Sequence, residues 1–215
     1  MLTGNFWLSF GMVAVSSYLL GSFNFAIIIS KAAAQGDVRA HGSGNAGMTN
    51  MLRTYGTGKA ALTALGDFLK AIAAVLLARL VFAGDAFGAI EAGYLAGFFV
   101  LLGHLFPLYF GFKGGKGVIT TLGIALILNP IVFLILIAVF LPLVFITRIV
   151  SLGSILGAIC YPALTFALRS LQGRPALFET LCAVVLAGII ICMHRSNIKR
   201  LLSGTENRFE RKGKS

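Results

Sequence analysis

The sequence predicts an all-α, polytopic membrane helical bundle of about seven transmembrane helices, including one short pair. Hydrophobic residues make up 58% of the 215 residues, charged residues only 12%, and the mean hydropathy is +0.91. Ordinary soluble domains do not have this balance, and apolar runs of membrane-spanning length recur along the chain. We expect a single integral membrane domain over residues 1–215, ending in a basic tail over 203–215.

The apolar runs predict spans at about 6–30, 60–83, 91–110, 118–128, 131–147, 152–169 and 176–193. The first run could be mistaken for a signal peptide. However, no Lys or Arg precedes it, and its length of about 24 residues exceeds the apolar region of such peptides. We therefore expect the first run to be a retained helix.

The fourth run is unusually short. Only 11 residues precede Asn129-Pro130, which gives roughly 16 Å of helix, about half of a hydrocarbon core. A short helix pair broken at Asn129-Pro130 is typical of discontinuous helices beside a buried polar site. One long, tilted hairpin segment is the alternative.

The distribution of Lys and Arg predicts the orientation. With the N-terminus outside, fourteen of these residues fall in inside segments and three fall outside, namely Arg79, Arg169 and Arg174. This bias places the C-terminus in the cytoplasm. The net charge of +11 is then explained by topology and by attraction to anionic lipid. Nucleic acid is not expected as a partner, because no stretch interleaves aromatic and basic residues.

The three cysteines carry no expected chemistry. Cys160, Cys182 and Cys192 fall in apolar segments without paired spacing. We expect buried thiols that pack as small hydrophobic side chains, rather than disulfide or zinc ligands.

The unusual polar chemistry falls on one predicted side of the membrane. The cytoplasmic stretches are residues 31–59, residues 111–117, the Arg148–Ser154 corner and the tail from His194, whereas the outer loops 84–90 and 169–175 are short and plain. Transporters usually distribute polar groups through the membrane midplane, so this asymmetry favours an enzyme. A transporter of a phosphorylated metabolite and a lipid-binding scaffold are the alternatives.

The first polar stretch is "GDVRAHGSGNAGMTNMLRTYGTGK", residues 36–59. Its glycines permit close backbone approach and a nest of N–H groups that suits phosphate oxygens. Arg39 and Arg53 add charge with bidentate geometry. A flexible linker would not need both arginines. The G-x-G-x-x-G spacing from Gly42 does not indicate a Rossmann site, because a membrane helix precedes it instead of a strand.

The second polar stretch is "GHLFPLYFGFKGGKGVITT", residues 103–121. Lys113 and Lys116 flank two glycines, and a helix is predicted to begin at Val118, so its N-terminus suits an anion. The pattern is not Walker A, which disfavours ATP hydrolysis. His104 is either a hydrogen-bonded structural histidine or a catalytic one.

The third polar stretch is "HRSNIKRLLSGTENRF", residues 194–209. His194 and Asn197 are three residues apart and share a helix face. An amphipathic helix on anionic lipid is the alternative.

Two further pairs are notable. Asp67 and Lys70 lie three apart inside a span, where we favour a mutual ion pair that anchors the helix over direct catalysis. Ser151 and Ser154 lie one turn apart beside Arg148, where they bind either backbone or ligand.

The stretches "GSGNAGMTN", "GHLFPLYFGFKGGKGV" and "HRSNIKRLLSGTE", with "DFLK" at 67–70, resemble the bacterial acyl-phosphate–glycerol-3-phosphate acyltransferase family. The resemblance runs from about residue 18 to 207. Asn24, Met48 and Ile119 depart from the family pattern, where proline near position 24 and alanines are more usual.

This resemblance implies an integral membrane enzyme of phospholipid synthesis in the bacterial cytoplasmic (inner) membrane. It would transfer a fatty acyl group from acyl phosphate to the 1-hydroxyl of glycerol 3-phosphate, giving lysophosphatidate and inorganic phosphate. Its partners would be glycerol 3-phosphate, acyl phosphate and membrane lipid, with no coenzyme A, no metal and no other cofactor.

The donor groups suggest a division of roles. The hypothesis assigns the glycerol phosphate and the oxyanion to Ser43, Arg53, Lys116, His194 and Asn197, and the acyl phosphate to Thr49, Asn50 and the backbone of Gly114–Gly117. The base is His194 or a substrate phosphate oxygen. The predicted catalytic residues are Ser43, Lys116, His194 and Asn197. The predicted substrate-binding residues are Arg39, Gly42, Gly44, Asn45, Thr49, Asn50, Arg53, Lys113, Gly114, Gly115, Gly117, Ser151, Ser154 and Arg195.

Overall fold

The computed structural model describes residues 4–33, 36–83 and 88–209, and the longer regular elements in these ranges are all α-helices. They are α1 (Gly4–Ser22), α2 (Phe25–Ala32), α3 (Met48–Val81), α4 (Ala89–Leu105), α5 (Val118–Leu128), α6 (Pro130–Thr147), α7 (Val150–Leu171), α8 (Leu177–Met193) and α9 (Arg195–Leu202). Five helical segments are long and apolar enough to cross a membrane, or six if α8 and α9, bent by 63°, form one span. The predicted all-α membrane fold is confirmed.

The helices form two compact units, Met1–Leu128 and Asn129–Ser215, where the sequence predicts one domain. In the first unit, α4 packs against α1 and α3, and α5 packs against α3 and α4. Glycines allow the close approach that membrane helices favour. A Cβ at Gly103 would overlap the Tyr18 carbonyl oxygen, and one at Gly123 would lie 2.6 Å from the Phe68 oxygen.

The first predicted span is interrupted between α1 and α2. The Asn24 side chain caps α2 by accepting a hydrogen bond from the Ile27 N–H at 3.2 Å. Its amide also donates to the Ala46 oxygen at 3.1 Å. Asn24, one of the departures from the family pattern, therefore joins the end of the first span to the first glycine-rich stretch.

The polar stretch 31–59, which the sequence places between two spans, is largely helical in its second half. Helix α3 begins at Met48, directly after Gly47, and only Gly56, with φ 84° and ψ 179°, interrupts it before Val81. Thr49, Asn50 and Arg53 therefore lie on a helical segment.

In the second unit, α7 packs against α6 and α8. The break at Asn129-Pro130 falls where the sequence predicts it, because α5 ends at Leu128 and α6 begins at Pro130. Proline at the first position of α6 is compatible with helix, since its missing N–H would have no partner there.

A buried ion pair joins α7 to α8. The Arg169 Nε lies 2.7 Å from Glu179 Oε1, and the second guanidinium nitrogen donates to Oε2 at 2.7 Å. The corner 169–175, which the sequence predicts to be outside and chemically plain, therefore begins at a buried charged residue. Part of the other predicted outer loop, residues 84–87, and the end of the basic tail, residues 210–215, lie outside the described residues.

The prediction that all three thiols are buried is also wrong. Cys160 and Cys192 are exposed on the surfaces of α7 and α8, Cys182 is half-buried, and all three are free.

Candidate functional site

The first glycine-rich stretch begins with a short 3₁₀ turn, Val38–Ala40, capped by Asp37. The Arg39 guanidinium donates to both carboxylate oxygens of Asp37, at 3.0 and 2.8 Å. These hydrogen bonds lower the pKa of Asp37 from 3.8 to about 2. The pair is a fork-to-carboxylate contact, which fixes the guanidinium plane.

Arg39 also joins the first glycine-rich stretch to the second. Its remaining terminal nitrogen donates to the Phe110 oxygen at 2.6 Å and to the Lys113 oxygen at 2.9 Å. With Asp37, these carbonyls engage most of the donors of the side chain. Arg39 was predicted to bind substrate, but in the structure it braces two loops against each other.

Asn50 holds the glycine turn in place. Its amide nitrogen donates to the Val38 oxygen at 3.1 Å and the His41 oxygen at 3.0 Å, and its side-chain oxygen accepts from the Ser43 N–H at 2.9 Å. The side chain is 1% exposed. Asn50 is therefore a brace of the turn, and its direct contact with acyl phosphate stays a prediction.

Gly42 is required by this arrangement. Its φ is +58°, and a Cβ there would overlap the side-chain oxygen of Asn50. Gly44 also has a positive φ, +71°. These conformations suit glycine, so the turn that presents Ser43 depends on both.

The backbone of the second glycine-rich stretch is partly engaged. The Gly114 N–H donates to the Leu105 oxygen at 2.9 Å, and the Gly115 N–H donates to the His104 oxygen at 3.2 Å. These two N–H groups were predicted to hold acyl phosphate, whereas here they donate to carbonyl oxygens of α4. They pin the stretch to the end of α4, and the chain then passes through Lys116 and Gly117 into the N-terminus of α5.

A buried polar cluster lies behind this stretch. The Lys70 ammonium lies 2.7 Å from Asp67 Oδ1, which confirms the predicted ion pair. It also lies 3.0 Å from His104 Nδ1. His104 is 3% exposed, so the structure favours the hydrogen-bonded structural histidine over the catalytic one.

The other predicted residues of the first unit differ in exposure. The exposed ones are two cations, one hydroxyl residue and two glycines: Arg53, Lys113, Ser43, Gly42 and Gly44. Those that are half-buried are Asn45, Thr49, Gly114 and Lys116. The first unit thus presents basic side chains and glycine turns in two stretches that Arg39 joins, an arrangement suited to phosphate oxygens.

In the second unit, His194 ends α8 and precedes α9. Its Nδ1 lies 2.7 Å from the Ile190 oxygen. Because a carbonyl oxygen only accepts, Nδ1 carries a proton, and in the neutral ring Nε2 is the acceptor. Asn197, three residues after His194, is also buried, as the predicted shared helix face requires.

Glu206 organises this part of the chain and was missed from the sequence. Its carboxylate accepts from the Asn197 amide at 2.8 Å and from Arg200 Nε at 2.8 Å. Burial raises the pKa of Glu206, but hydrogen bonds from Asn197, Arg200 and Ser151 outweigh it and lower the pKa below 4.5. Its position in "SGTE", nine residues after Asn197, was the available signal.

The corner after α6 is tied to the tail. Arg148 adopts φ +62°, and its carbonyl oxygen accepts the Phe209 N–H at 3.0 Å. Of the two predicted serines, Ser154 donates to the Val150 oxygen at 3.0 Å, a backbone contact. Ser151 is buried and adjacent to Glu206. Arg195, also predicted to bind substrate, is exposed at the start of α9.

Comparisons with known proteins agree on one family. The family model described as glycerol-3-phosphate acyltransferase matches residues 11–204. The glycerol-3-phosphate acyltransferase of Clostridioides difficile is 43% identical over 204 residues, covering 95% of this chain and 97% of the relative. That of Agrobacterium fabrum is 43% identical, covering 94% and 93%.

Solved structures give the same result. The crystal structure of PlsY (YgiH), an integral membrane glycerol 3-phosphate acyltransferase, in its glycerol 3-phosphate form is 38% identical, with a TM-score of 0.82. The alignment covers 94% of this chain and 96% of that one. The lysophosphatidic acid form of the same protein gives a TM-score of 0.80 at 37% identity.

Proposed function

The chain belongs to the glycerol-3-phosphate acyltransferase family, and from that premise we propose the reaction it performs. It transfers a fatty acyl group from an acyl phosphate to the 1-hydroxyl of glycerol 3-phosphate, forming 1-acylglycerol 3-phosphate and inorganic phosphate. The glycerol 3-phosphate and lysophosphatidic acid forms of its structural relative support the acceptor and the product.

One observation carries the choice of an acyl phosphate donor. Arg39 joins two glycine-rich stretches. Together these stretches offer two groups of anion donors: the cations Arg53 and Lys116, and the neutral groups of Thr49 and the Gly117 backbone. A reaction in which both substrates carry a phosphate needs two groups of anion donors. A coenzyme A thioester would place its phosphates far from the reacting carbonyl and would not require a second such group there.

The chemistry needs no enzymic nucleophile. The hydroxyl oxygen of glycerol 3-phosphate attacks the acyl carbonyl carbon, the bond from that carbon to the phosphate oxygen breaks, and the hydroxyl proton passes to a base. Phosphate is already a good leaving group in a mixed anhydride. The protein therefore contributes orientation and stabilisation of the oxyanion.

The residues divide into donors and braces. Arg39, Asn50 and the N–H groups of Gly114 and Gly115 are braces, as their protein contacts indicate. In the first unit, we assign the glycerol phosphate and the oxyanion to Ser43, Arg53 and Lys116. In the second unit, His194 and Asn197 keep the roles predicted for them from the sequence. We assign the acyl phosphate to Thr49 and Gly117.

His194 is our candidate for the base, acting through Nε2. Its Nδ1–H is directed to the Ile190 oxygen at 2.7 Å, which fixes the tautomer that leaves Nε2 able to accept a proton. The alternative base is an oxygen of a substrate phosphate.

The charge distribution supports the cytoplasmic side of the bacterial inner membrane as the place of reaction. Fourteen Lys and Arg fall in the segments that would be inside, against three outside. Labelling of Arg174→Cys and Asn207→Cys variants in intact cells by an impermeant thiol reagent tests this orientation, with only the first expected to react.

The decisive experiment supplies the purified protein with radiolabelled glycerol 3-phosphate and either palmitoyl phosphate or palmitoyl-coenzyme A. We expect labelled 1-acylglycerol 3-phosphate with palmitoyl phosphate alone. Product with palmitoyl-coenzyme A alone would overturn the proposal that acyl phosphate is the donor. Uptake of label into vesicles without acylation would overturn the proposal that the protein acylates glycerol 3-phosphate.

Two variants test the assignments. Lys116→Ala should abolish turnover in a protein that remains monodisperse in detergent. His194→Asn places an amide near the position of Nδ1 but removes the Nε2 acceptor, so it should abolish turnover if His194 is the base. Full turnover in His194→Asn would transfer that role to a substrate phosphate.

A further inference from the structure

Lys70 makes more contacts than an ion pair needs. Its side chain is 2% exposed, and its ammonium lies 2.7 Å from Asp67 Oδ1. The ammonium also donates to the Gly21 oxygen at 3.0 Å and the Phe23 oxygen at 2.8 Å, at the end of α1. A fourth partner, His104 Nδ1, lies at 3.0 Å. The oxygens of Asp67, Gly21 and Phe23 match the three N–H groups of the ammonium, and the contact with His104 is a fourth.

The contact with His104 fixes the histidine ring. The same Nδ1 also lies 3.4 Å from Asp67 Oδ1, so the ring is held against both members of the ion pair. His104 Nε2 faces the second glycine-rich stretch, because a Cβ built on Gly115 would overlap that atom. The same Cβ would lie 2.7 Å from the Ala46 oxygen of the first stretch.

The backbone of α4 is attached to the stretch at the same place. The His104 oxygen accepts the Gly115 N–H at 3.2 Å, and the next carbonyl, of Leu105, accepts the Gly114 N–H. Movement of the histidine would therefore move Gly115. Lys116 follows directly in the chain, so its position depends on the same contacts.

We propose that Lys70 is a positioning residue for the reaction, which acts through His104 and Gly115 to place Lys116 against the glycerol phosphate. The observation that carries this is the continuous set of contacts from the Lys70 ammonium to the His104 ring and from His104 to Gly115. The inference rests on the proposed function, since it gives Lys116 the phosphate as its ligand.

A double-mutant cycle tests the proposal. Lys70→Met, His104→Leu and the double variant are assayed with palmitoyl phosphate, and KM for glycerol 3-phosphate and kcat are measured separately. We expect each single variant to raise KM by about tenfold, and the double variant to have about the same KM as either, because residues that act in one pathway are not additive. Multiplied effects in the double variant would overturn the proposal.

Arg79→Met is the matched control. Arg79 is another cation of α3, and its guanidinium donates to the Ile127 oxygen at 3.4 Å instead of to the glycine-rich stretch. Its loss should lower Tm, because a half-buried hydrogen bond is removed, but leave KM within about twofold of the wild type. A KM rise in Arg79→Met equal to that in Lys70→Met would mean that KM reports only a general loss of structure.

A conservative pair covers the case in which Lys70→Met does not fold. His104→Asn retains a polar amide near the position of Nδ1 that can contact Lys70 or Asp67, whereas His104→Leu has none, and Lys70 is intact in both. We expect KM to be closer to the wild-type value in His104→Asn, and equal KM values in the two would overturn the proposal. Absence of wild-type turnover with palmitoyl phosphate would instead reject the proposed function, so the two failures are distinguishable.

Discussion

Replacement of Asn50 distinguishes a brace from a substrate ligand. Asn50→Ala removes two hydrogen bonds donated to the Val38 and His41 oxygens and one accepted from the Ser43 N–H. All three hold the turn that carries Ser43. We expect the variant to lose both stability and activity, because the turn is no longer fixed.

The structure gives the magnitude of the stability loss. Each intramolecular hydrogen bond contributes about 1 kcal/mol net, so the three bonds contribute about 3 kcal/mol. About 1 kcal/mol lowers the Tm of a protein of this size by roughly 2–4 °C, which gives a fall of roughly 6–12 °C. Asn50→Asp should fall at least as far, since a carboxylate would face two carbonyl oxygens.

The assay is thermal unfolding in detergent, followed by fluorescence size-exclusion chromatography, with turnover measured on the same preparation. Asn45→Ala is the control, because the Asn45 side chain makes no hydrogen bond within the part of the chain that the structure describes. Its Tm should change by less than about 2 °C. A wild-type Tm in Asn50→Ala, with only a raised KM, would refute the bracing role and restore the direct contact.

Three further predictions concern other parts of the chain. Gly115→Ala should raise KM for glycerol 3-phosphate by about tenfold or more, because its Cβ has no room, whereas Gly58→Ala, with nothing within 4 Å of its Cβ, should keep wild-type kinetics. Glu206 has a lowered pKa, so its carboxylate stabilises the fold above its ordinary pKa of 4.5 and this contribution is lost as the pH falls further. The Tm of Glu206→Gln should therefore be lower near neutral pH and depend less on acidification; parallel Tm curves for the two proteins would contradict this. Arg169→Met should cost about 3–5 kcal/mol by leaving Glu179 buried and unpaired, and the additional change Glu179→Leu should recover most of it. The recovery is measured as Tm, and a double variant no more stable than the single one would refute it.

The sequence predicts those elements whose cause is local. The ends of α5 and α6 follow from Asn129-Pro130, because proline fixes where a helix begins. The Asp67–Lys70 pair follows from a three-residue spacing in an apolar segment. The shared burial of His194 and Asn197 follows from helical periodicity.

The parts that could not be predicted depend on distant residues. Arg39 looks like an anion ligand in the sequence, but its partner Phe110 lies 71 residues away. The same is true of Gly114, whose N–H is satisfied by the end of α4. The helix from Met48 was missed because its glycine, threonine and asparagine content is typical of a loop. Tertiary contacts of Asn50 hold that segment, and composition does not report them.

The partners of Lys70 also have an order in time during synthesis. Gly21, Phe23 and Asp67 all precede Lys70 in the chain, and only His104 follows it. A lone lysine at the centre of a nascent helix costs about 2.5–3.5 kcal/mol to insert. When α3 enters the bilayer, the first helix has already been made and offers two carbonyl oxygens, and α3 brings its own counter-ion. The ammonium therefore has oxygen partners before the ribosome reaches the second glycine-rich stretch. The later insertion of α4 adds the His104 contact and, with it, the support for that stretch.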